Sequence, residues 1–308
     1  MVVDGRFFIV FFEKFCIICS EIMNLQIYLK KRKSIIDNAL KKYFLNNADE
    51  PVIINSAMKY SVFAGGKRLR PILCLAACEI CGGSAKNVMP TACGIEMIHT
   101  YSLIHDDLPA MDNDDERRGK LTSHKKFGEA VAILAGDGLL TKAFEIIHPK
   151  VVKEIAVAAG TKGMVGGQVV DIEMEDGRWK MEVGIKKINY IHLHKTAKMI
   201  EVSLAAGGMI AGATKKQLQS LSNYGRKIGL AFQVADDILD IIGNKKKLGK
   251  TGSDIKNKKL TYPSIYGIEK SKQKAAILIK SAKNDLKIFG KKTDVLNELA
   301  DYIVKRDF

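Results

Sequence analysis

Two short clusters of aspartates are the residues of this chain that are best suited to chemistry. The first runs from Asp106 to Asp112 and the second from Asp236 to Asp240, and each follows a strongly apolar segment. Burying an ionised carboxylate without a partner is costly, so a positive charge is expected between the clusters. Neither cluster contains His or Cys, and such all-oxygen ligands favour Mg²⁺, which binds carboxylates together with substrate phosphates and water. The clusters therefore predict a magnesium site for a diphosphate.

A short acidic run can also be simply a solvated helix end, and either cluster taken alone leaves this alternative open. The apolar segments that precede the clusters, Ile95 to Ile104 and Ile228 to Ala235, are an unusual setting for a purely solvated face. The two clusters together therefore favour one buried site that both of them line.

The spacing of the second cluster fits one face of a helix. Asp236 and Asp240 are i and i+4 neighbours, and Gln233 lies seven residues before Asp240. Residues at these spacings share a helix face, so we predict that the Gln233 amide lies beside these carboxylates.

The first cluster cannot lie on one straight helix, because Asp106 and Asp112 are six residues apart and would point to opposite sides. Pro109 removes a helical hydrogen bond and disfavours helix at the residue before it. We therefore predict that the helix ends or kinks here and that the chain returns Asp112 towards Asp106. His99, seven residues before Asp106, shares its helix face about 10 Å further down the axis.

Arginine is scarce in this chain, yet four of its nine arginines fall in two short segments. Arg68 and Arg70 lie in the segment Gly65 to Pro71, and Arg117 and Arg118 follow the first acidic cluster. A planar guanidinium binds phosphate oxygens in a bidentate manner, so this placement indicates phosphate recognition. A basic hexapeptide on its own is more often a surface patch, and the nearby acidic site decides against that alternative.

From about residue 23 to the C-terminus, the chain resembles the polyprenyl synthetase family, and in particular its short-chain trans-isoprenyl diphosphate synthases of the bacterial farnesyl type. Six ordered motifs carry the resemblance: Gly65 to Pro71, Asp106 to Asp112 followed by Arg117-Arg118, Gly166 to Gln168, His194 to Thr196, Phe232 to Asp240, and a Lys-rich loop through Lys250 and Lys259.

Fold class and domain organisation follow from the patterning together with the resemblance. The chain has 308 residues with 47% hydrophobic content, few Pro and no alternating strand runs, which favours one all-α domain. No Gly/Ser/Pro linker divides it, and a site shared by clusters 130 residues apart requires one fold. The resemblance implies a helical bundle around a central cavity, the class I isoprenoid synthase fold, over residues 23–308, preceded by an extension, residues 1–22.

The resemblance also implies the ligands and the residues that hold them. About three Mg²⁺ ions and the diphosphate of an allylic substrate would be held by the acidic clusters: directly by Asp106, Asp112 and Asp236, and partly through water by Asp107, Asp237 and Asp240. The cations that assist this diphosphate would be Arg117, Lys195 and Lys259. Metal-free isopentenyl diphosphate would be bound by Lys67, Arg70, His99 and Arg118, and Lys250 would close over the site. The dipoles that stabilise the carbocation would come from Thr196, Gln233 and the Lys195 carbonyl.

The reaction implied is condensation of dimethylallyl or geranyl diphosphate with isopentenyl diphosphate to give farnesyl diphosphate and free diphosphate. Tyr101, five residues before Asp106, would form the floor that stops the product at fifteen carbons. Small Ser102 beside it leaves geranylgeranyl diphosphate open as the product, and Tyr101 could also be an ordinary core aromatic. A non-catalytic regulatory subunit is the alternative from another class, although such relatives usually lose an acidic motif.

The remaining features concern surface, compartment and partners. A net charge of +15 is compatible with a nucleic-acid-binding function, but dispersed Lys without interleaved aromatics favours a solvated surface that attracts polyanionic substrates.

Cys16-x-x-Cys19 and Cys78-x-x-Cys81 each resemble half of a zinc site. The favoured interpretation is that these cysteines are small core residues of a protein in a reducing cytoplasm. The resemblance implies a homodimer.

Residues 1–22 contain two apolar runs, Phe7 to Phe12 and Phe15 to Cys19, which Glu13-Lys14 interrupts. Neither run reaches the roughly 20 apolar residues that span a bilayer, so no integral membrane span is predicted. An upstream misread start is the favoured interpretation of this segment, with a peripheral membrane contact as the alternative.

Overall fold

The computed structural model describes residues 25–45, 51–175, 181–242 and 261–304. Helices account for nearly all of the regular structure in these ranges, as the sequence predicts. The predicted extension (residues 1–22), the Cys16 to Cys19 pair, and the predicted site residues Lys250 and Lys259 lie outside the described residues.

The helices in chain order are α1 (25–42), α2 (Val52–Val62), α3 (Leu69–Ile80), α4 (Ala85–Asp106), α5 (Ser123–Phe127), α6 (Glu129–Ile146), α7 (Val152–Ala159), α8 (Met164–Glu175), α9 (Met181–Ile191), α10 (Lys198–Ile210), α11 (Lys215–Ile242), α12 (Tyr262–Tyr266), α13 (Ile268–Asp285) and α14 (Asp294–Val304). Pro149–Val151 and Leu286–Thr293 are 3-10 turns, and His192–Ala197 is a π-helical turn.

Helix α4 lies at the centre of the bundle and ends at the first acidic cluster. Twelve of its 22 residues are buried, between α3 on one side and α6 on the other. The Ser84 hydroxyl caps its start by accepting from the Lys86 amide at 3.3 Å. Because α10 packs on both α3 and α11, one continuous core connects the helices that carry the two acidic clusters.

The π turn between α9 and α10 is held tightly from two sides by glycines. A Cβ at Gly167 of α8 would lie 2.2 Å from the Lys195 nitrogen, and one at Gly229 of α11 would lie 2.6 Å from the Ala197 Cα. Any larger residue would push these helices apart. Single π turns inside helices occur frequently at functional sites, and this one carries two predicted site residues, Lys195 and Thr196.

A small antiparallel hairpin is the one feature of the described chain that the all-α prediction lacks. Strand β1 (Glu116–Arg117) pairs with β2 (Lys120–Leu121), with Arg117 opposite Lys120. The connecting residues, Arg118 and Gly119, have φ of 56° and 71°, and positive φ at both positions is what a type I′ turn requires. Arginine rarely adopts this conformation, so the turn presents Arg118 at a conformational cost.

The cysteines of the described chain are free. Cys74, Cys78 and Cys93 are buried and Cys81 is half-buried, and burial is the main reason that the pKa of each thiol is raised, to about 12 for Cys93. Small core residues were the favoured interpretation, and the three buried thiols fit it. None of the helices in the described ranges is long and apolar enough to cross a membrane.

Candidate active site

The first acidic cluster forms a tight loop at the end of α4. The helix ends at Asp106, and the Asp112 amide donates back to the Asp106 carbonyl at 2.8 Å. The Asn113 amide then donates to the Leu108 carbonyl at 3.1 Å, with Asn113 at a φ of 51°. The predicted helix end near Pro109 and the return of Asp112 towards Asp106 are confirmed.

Asp106 is the carboxylate whose ionisation is most disturbed in this loop. Burial, together with the neighbouring charges of Asp112 and Asp107, raises its pKa to about 6, against the opposite effect of Lys195 and Arg117. The ionised form of Asp106 is therefore disfavoured by its surroundings, and a bound cation would stabilise it.

Asp107 lies on the protein side of the same loop and is 3% exposed. The Arg117 Nε donates to its Oδ1 at 2.6 Å, and the Arg117 Nη2 contacts the same oxygen. Burial raises the pKa of Asp107, while Arg117 opposes that rise. Hairpin residue Arg117 thus holds Asp107, and Arg117 also lies 3.5 Å from Asp114.

Lys195 of the π turn faces the same acidic loop. Its Nζ donates to Asp171 Oδ2 of α8 at 2.6 Å. Burial disfavours its charge, but the carboxylates of Asp171, Asp106 and Asp112 outweigh burial and raise the pKa of Lys195. Sequence reasoning missed Asp171, although its position one turn after Gln168 places an acidic residue beside a motif that was already recognised.

The second cluster lies on α11 and divides into carboxylates with different surroundings. Asp236 and Asp240 are half-buried, and the charge of Asp236 acts on Arg70 of α3. Asp237 is instead buried at 6% exposure and is hydrogen-bonded within the protein. The Gln233 Nε2 donates to its Oδ1 at 3.2 Å, and the Tyr262 amide donates to its Oδ2 at 2.9 Å.

Thr196 and Gln233, the predicted cation-stabilising groups, are in direct contact. The Thr196 hydroxyl donates to Gln233 Oε1 at 2.8 Å. His192, which the sequence reasoning missed, places its Nε2 3.2 Å from Asp237 Oδ2. Nothing in the sequence distinguishes this His from the other histidines of the chain, because its partner is 45 residues away.

The two arginines of the Gly65 to Pro71 segment have different roles. Arg68 is 3% exposed with a φ of 54°, and it binds three groups of the fold itself. Its Nε donates to Asp37 at 2.8 Å, its Nη1 to Glu96 at 2.7 Å and its Nη2 to the Val62 carbonyl at 2.6 Å. Arg68 therefore joins α1, α2 and α4 and does not serve phosphate recognition.

Arg70 belongs to a second, positively charged part of the site with His99 and Arg118. The Arg70 Nε and the His99 Nδ1 are buried without a hydrogen-bond partner in the protein. Arg118 donates to the Gly65 carbonyl, and a Cβ at Gly66 would come within 2.7 Å of its Nη1. Burial, followed by Arg70 and Arg118, holds the pKa of His99 well below its ordinary value. A cluster of cationic side chains with unpaired nitrogens can bind an anion.

The other predicted substrate and floor residues lie around these two parts. Lys67 is exposed, with its Nζ 5.9 Å from the centre of the Tyr302 ring. Tyr101 is 7% exposed on α4 and packs edge-on against His105 at 5.6 Å. The Ser102 hydroxyl donates to the His99 carbonyl at 3.0 Å.

Replacing Arg68 with Met is expected to lower the free energy of unfolding by about 3 to 5 kcal/mol, because Glu96 is left buried and unpaired. Chemical denaturation measures this change. Arg32→Met is the matched control: its partner Glu79 is 30% exposed at the surface, so a loss of about 1 kcal/mol or less is expected. Equal losses in the two variants would contradict the structural role of Arg68.

The residues present fit divalent magnesium. The donors are carboxylate oxygens, which match the preference of Mg²⁺, and a bound cation would stabilise the ionised form of Asp106 that burial disfavours. Within the described ranges, no three acidic, His or Cys side chains converge into a ready-made metal cage. Magnesium would thus be held by a few carboxylates, with phosphate oxygens and water as the other ligands. The arrangement can bind one diphosphate through metal and a second through guanidinium groups.

Comparisons with known proteins agree with this geometry. Residues 51–299 match the family model described as Polyprenyl synthetase. A geranylgeranyl diphosphate synthase from Cyanophora paradoxa is 46% identical over 296 residues, covering 92% of this chain and 97% of that protein. A farnesyl diphosphate synthase from Bacillus subtilis (strain 168) is 45% identical over 293 residues, covering 91% and 97%. The crystal structure of an FPP/GFPP synthase from Zymomonas mobilis matches with a TM-score of 0.82 at 36% identity, covering 92% of this chain and 99% of that chain.

The predicted resemblance and the predicted fold class are both confirmed by these matches. Helices α3, α4, α8 and α11 and the π turn bring a carboxylate-rich part and an arginine-rich part of one site together in a single helical domain. The chain belongs to the polyprenyl synthetase family, and its all-α bundle is the class I isoprenoid synthase fold.

Proposed function

We propose that the protein is a magnesium-dependent short-chain prenyltransferase that condenses an allylic diphosphate with isopentenyl diphosphate. One observation carries the proposal: the charge of Asp236 acts on Arg70, so the acidic clusters adjoin a cationic cluster of Arg70, His99 and Arg118. The acidic part suits the diphosphate that must leave the allylic substrate. The cationic cluster suits the diphosphate that must stay on isopentenyl diphosphate. The names of the relatives from Cyanophora paradoxa and Bacillus subtilis support the same reaction class.

In this proposal the acidic part binds the allylic diphosphate through about three Mg²⁺ ions. Bound magnesium supplies Lewis-acid stabilisation of the departing diphosphate. Asp106, Asp112 and Asp236 would hold the ions directly, and Asp107 and Asp240 would support them. Arg117, Lys195 and Lys259 add positive charge around the same leaving group.

The arginine-rich part binds isopentenyl diphosphate through Lys67, Arg70, His99 and Arg118. Fixing both substrates side by side converts a bimolecular attack of the double bond into a step within one complex. Thr196 and Gln233 present dipoles to the allylic cation, while Lys250, which is predicted to close over the site, lies outside the described residues. Excluding water matters because water would trap the cation as an alcohol.

Product length is the finer part of the proposal, and farnesyl diphosphate is our preferred product. The relatives divide between farnesyl and geranylgeranyl diphosphate synthases at 45% and 46% identity, so geranylgeranyl diphosphate is the second candidate. The position of Tyr101 favours the shorter product, because a buried aromatic below Asp106 limits the depth available to a growing chain.

Tyr101→Ala is expected to lengthen the product, because it removes the ring from the space below Asp106. Products beyond fifteen carbons should rise from a minor to the dominant fraction, as resolved by chromatography of the dephosphorylated alcohols. Ser102→Ala is the matched control on the neighbouring residue, and its product distribution should match the wild type. An unchanged distribution in Tyr101→Ala would show that another group sets the length.

The proposed function is tested by offering labelled isopentenyl diphosphate with dimethylallyl, geranyl or farnesyl diphosphate as the starter. A farnesyl diphosphate synthase extends the first two starters and leaves the third unused. Extension of farnesyl diphosphate would identify the geranylgeranyl product instead. No extension of any starter by folded protein would favour a non-catalytic subunit.

Homodimer formation and a cytoplasmic location stay part of this proposal. The exposed apolar side chains of Ile133 and Leu134 on α6 are surface that a second copy would cover. A mass in solution of twice 34.0 kDa is the expected value for the dimer.

A further inference from the structure

The surroundings of Asp237 differ from those expected of a metal ligand. Both of its carboxylate oxygens already have partners: Oδ1 accepts a hydrogen bond from the Gln233 amide, Oδ2 accepts one from the Tyr262 backbone amide, and the His192 Nε2 lies 3.2 Å from Oδ2. The side chain is only 9% exposed. These three groups come from α11, from the start of α12 and from the π turn, so Asp237 joins three elements behind the reaction site.

The polarity of each hydrogen bond follows from the chemistry of the groups. An ionised carboxylate only accepts, so the Gln233 Nε2 must face Asp237 and the His192 Nε2 must carry the proton. Gln233 Oε1 then necessarily faces Thr196, and the Thr196 hydroxyl donates its single proton to that oxygen at 2.8 Å. The lone pairs of the Thr196 hydroxyl are thereby left free to face away from Gln233.

We propose that His192 and Asp237 are positioning residues that fix the Gln233 amide and, through it, the Thr196 hydroxyl, so that oxygen lone pairs face the allylic cation. Without the Asp237 carboxylate, the side-chain amide of Gln233 can flip, so that Nε2 faces Thr196 where Oε1 faced it before. The Thr196 proton would then point away from Gln233, and the oriented dipoles would be lost. The inference rests on the proposed function, because it assigns Thr196 and Gln233 to cation stabilisation.

His192 is suited to hold Asp237 because its own ring is fixed. The side chain is buried at 7% exposure and its ring stacks on the Tyr262 ring, with the centres 6.2 Å apart and the planes inclined by 28°. The Tyr262 backbone amide is itself a donor to Asp237 Oδ2 at 2.9 Å. Ring packing and hydrogen bonding therefore converge on one carboxylate oxygen.

The test compares His192→Phe, which keeps an aromatic ring and removes the donor, with His192→Gln, whose amide can place a donor near the position of Nε2. We expect His192→Phe to lower kcat about tenfold, with both substrate KM values within about twofold of the wild type. His192→Gln should recover to within about threefold of the wild-type kcat. His194→Phe is the matched control in the same turn, since the polar and ring contacts of His194 within the described ranges are to the carbonyl and ring of Tyr190, and kcat should stay unchanged.

A second measurement separates positioning from metal binding. Calorimetric titration with magnesium and inorganic diphosphate should give the same affinity within about twofold for the wild type, His192→Phe and Asp237→Asn. A loss of affinity of about tenfold or more in Asp237→Asn would make Asp237 a metal ligand and overturn the inference. So would equal kcat values for His192→Phe and the wild type. An inactive but folded wild type would instead refute the proposed function.

Discussion

Asp106→Asn and Asp236→Asn are each expected to lower kcat by on the order of 1,000-fold, because each removes a carboxylate that holds the metal at the leaving diphosphate. The folded state of Asp106→Asn should be at least as stable as the wild type. Burial and neighbouring carboxylates raise the pKa of Asp106, so its ionised form is disfavoured by its surroundings and a neutral amide relieves that strain.

Steady-state rates with both substrates saturating, together with thermal unfolding, measure these two effects separately. Asp137→Asn on α6 is the matched control, because this carboxylate is 58% exposed and belongs to neither acidic cluster. Its rate should equal that of the wild type. Variants of Asp106 and Asp236 that keep more than about a tenth of the wild-type rate would remove these carboxylates from the metal site.

Arg70→Ala is expected to raise the KM for isopentenyl diphosphate about 100-fold, while the KM for the allylic substrate stays within about threefold. Arg70 is half-buried and its buried Nε has no hydrogen-bond partner in the protein, so its loss removes a charged donor that the protein itself does not use. Arg226→Ala is the matched control, because the Arg226 side chain is 44% exposed on α11 and contacts Glu201.

The same variant has a consequence that does not depend on catalysis. After burial, the charge of Arg70 is the largest cause of the low pKa of His99. Arg70→Ala should therefore raise the pKa of His99. Titration of the His99 ring by NMR in the free protein measures the shift. An unchanged His99 pKa, together with equal effects on both substrate KM values, would show that these groups do not form one anion site.

Local rules were sufficient to predict the loop of the first acidic cluster. Proline removes a helical donor and restricts the preceding residue, so the helix end and the return of Asp112 follow from Pro109 and from helix geometry alone. Helix spacing also predicted that Gln233 lies beside the second cluster, through the seven residues that separate it from Asp240, although its amide donates to Asp237 four residues on. Such features depend on neighbours within one or two turns.

Sequence spacing could not predict that Arg68 binds groups of the fold itself while Arg70 belongs to the cationic part of the site. The partners of Arg68, Asp37 and Glu96, lie 31 and 28 residues away, and only the packing of α1 against α4 brings them together. Asp171 and His192 were missed for the same reason, because each acts through a partner on another helix. The turn that presents Arg118 has positive φ at an arginine, which opposes the local preference of that residue.

The stoichiometry of the reaction tests the proposed prenyltransferase activity most directly. Purified protein is incubated with dimethylallyl diphosphate and labelled isopentenyl diphosphate, and both incorporated label and released diphosphate are counted with magnesium and with excess chelator. We predict one diphosphate released for each isopentenyl unit incorporated, with both quantities abolished by the chelator and restored by added magnesium. Folded protein that incorporates no label, or incorporation that persists without a divalent cation, would contradict a magnesium-dependent prenyltransferase.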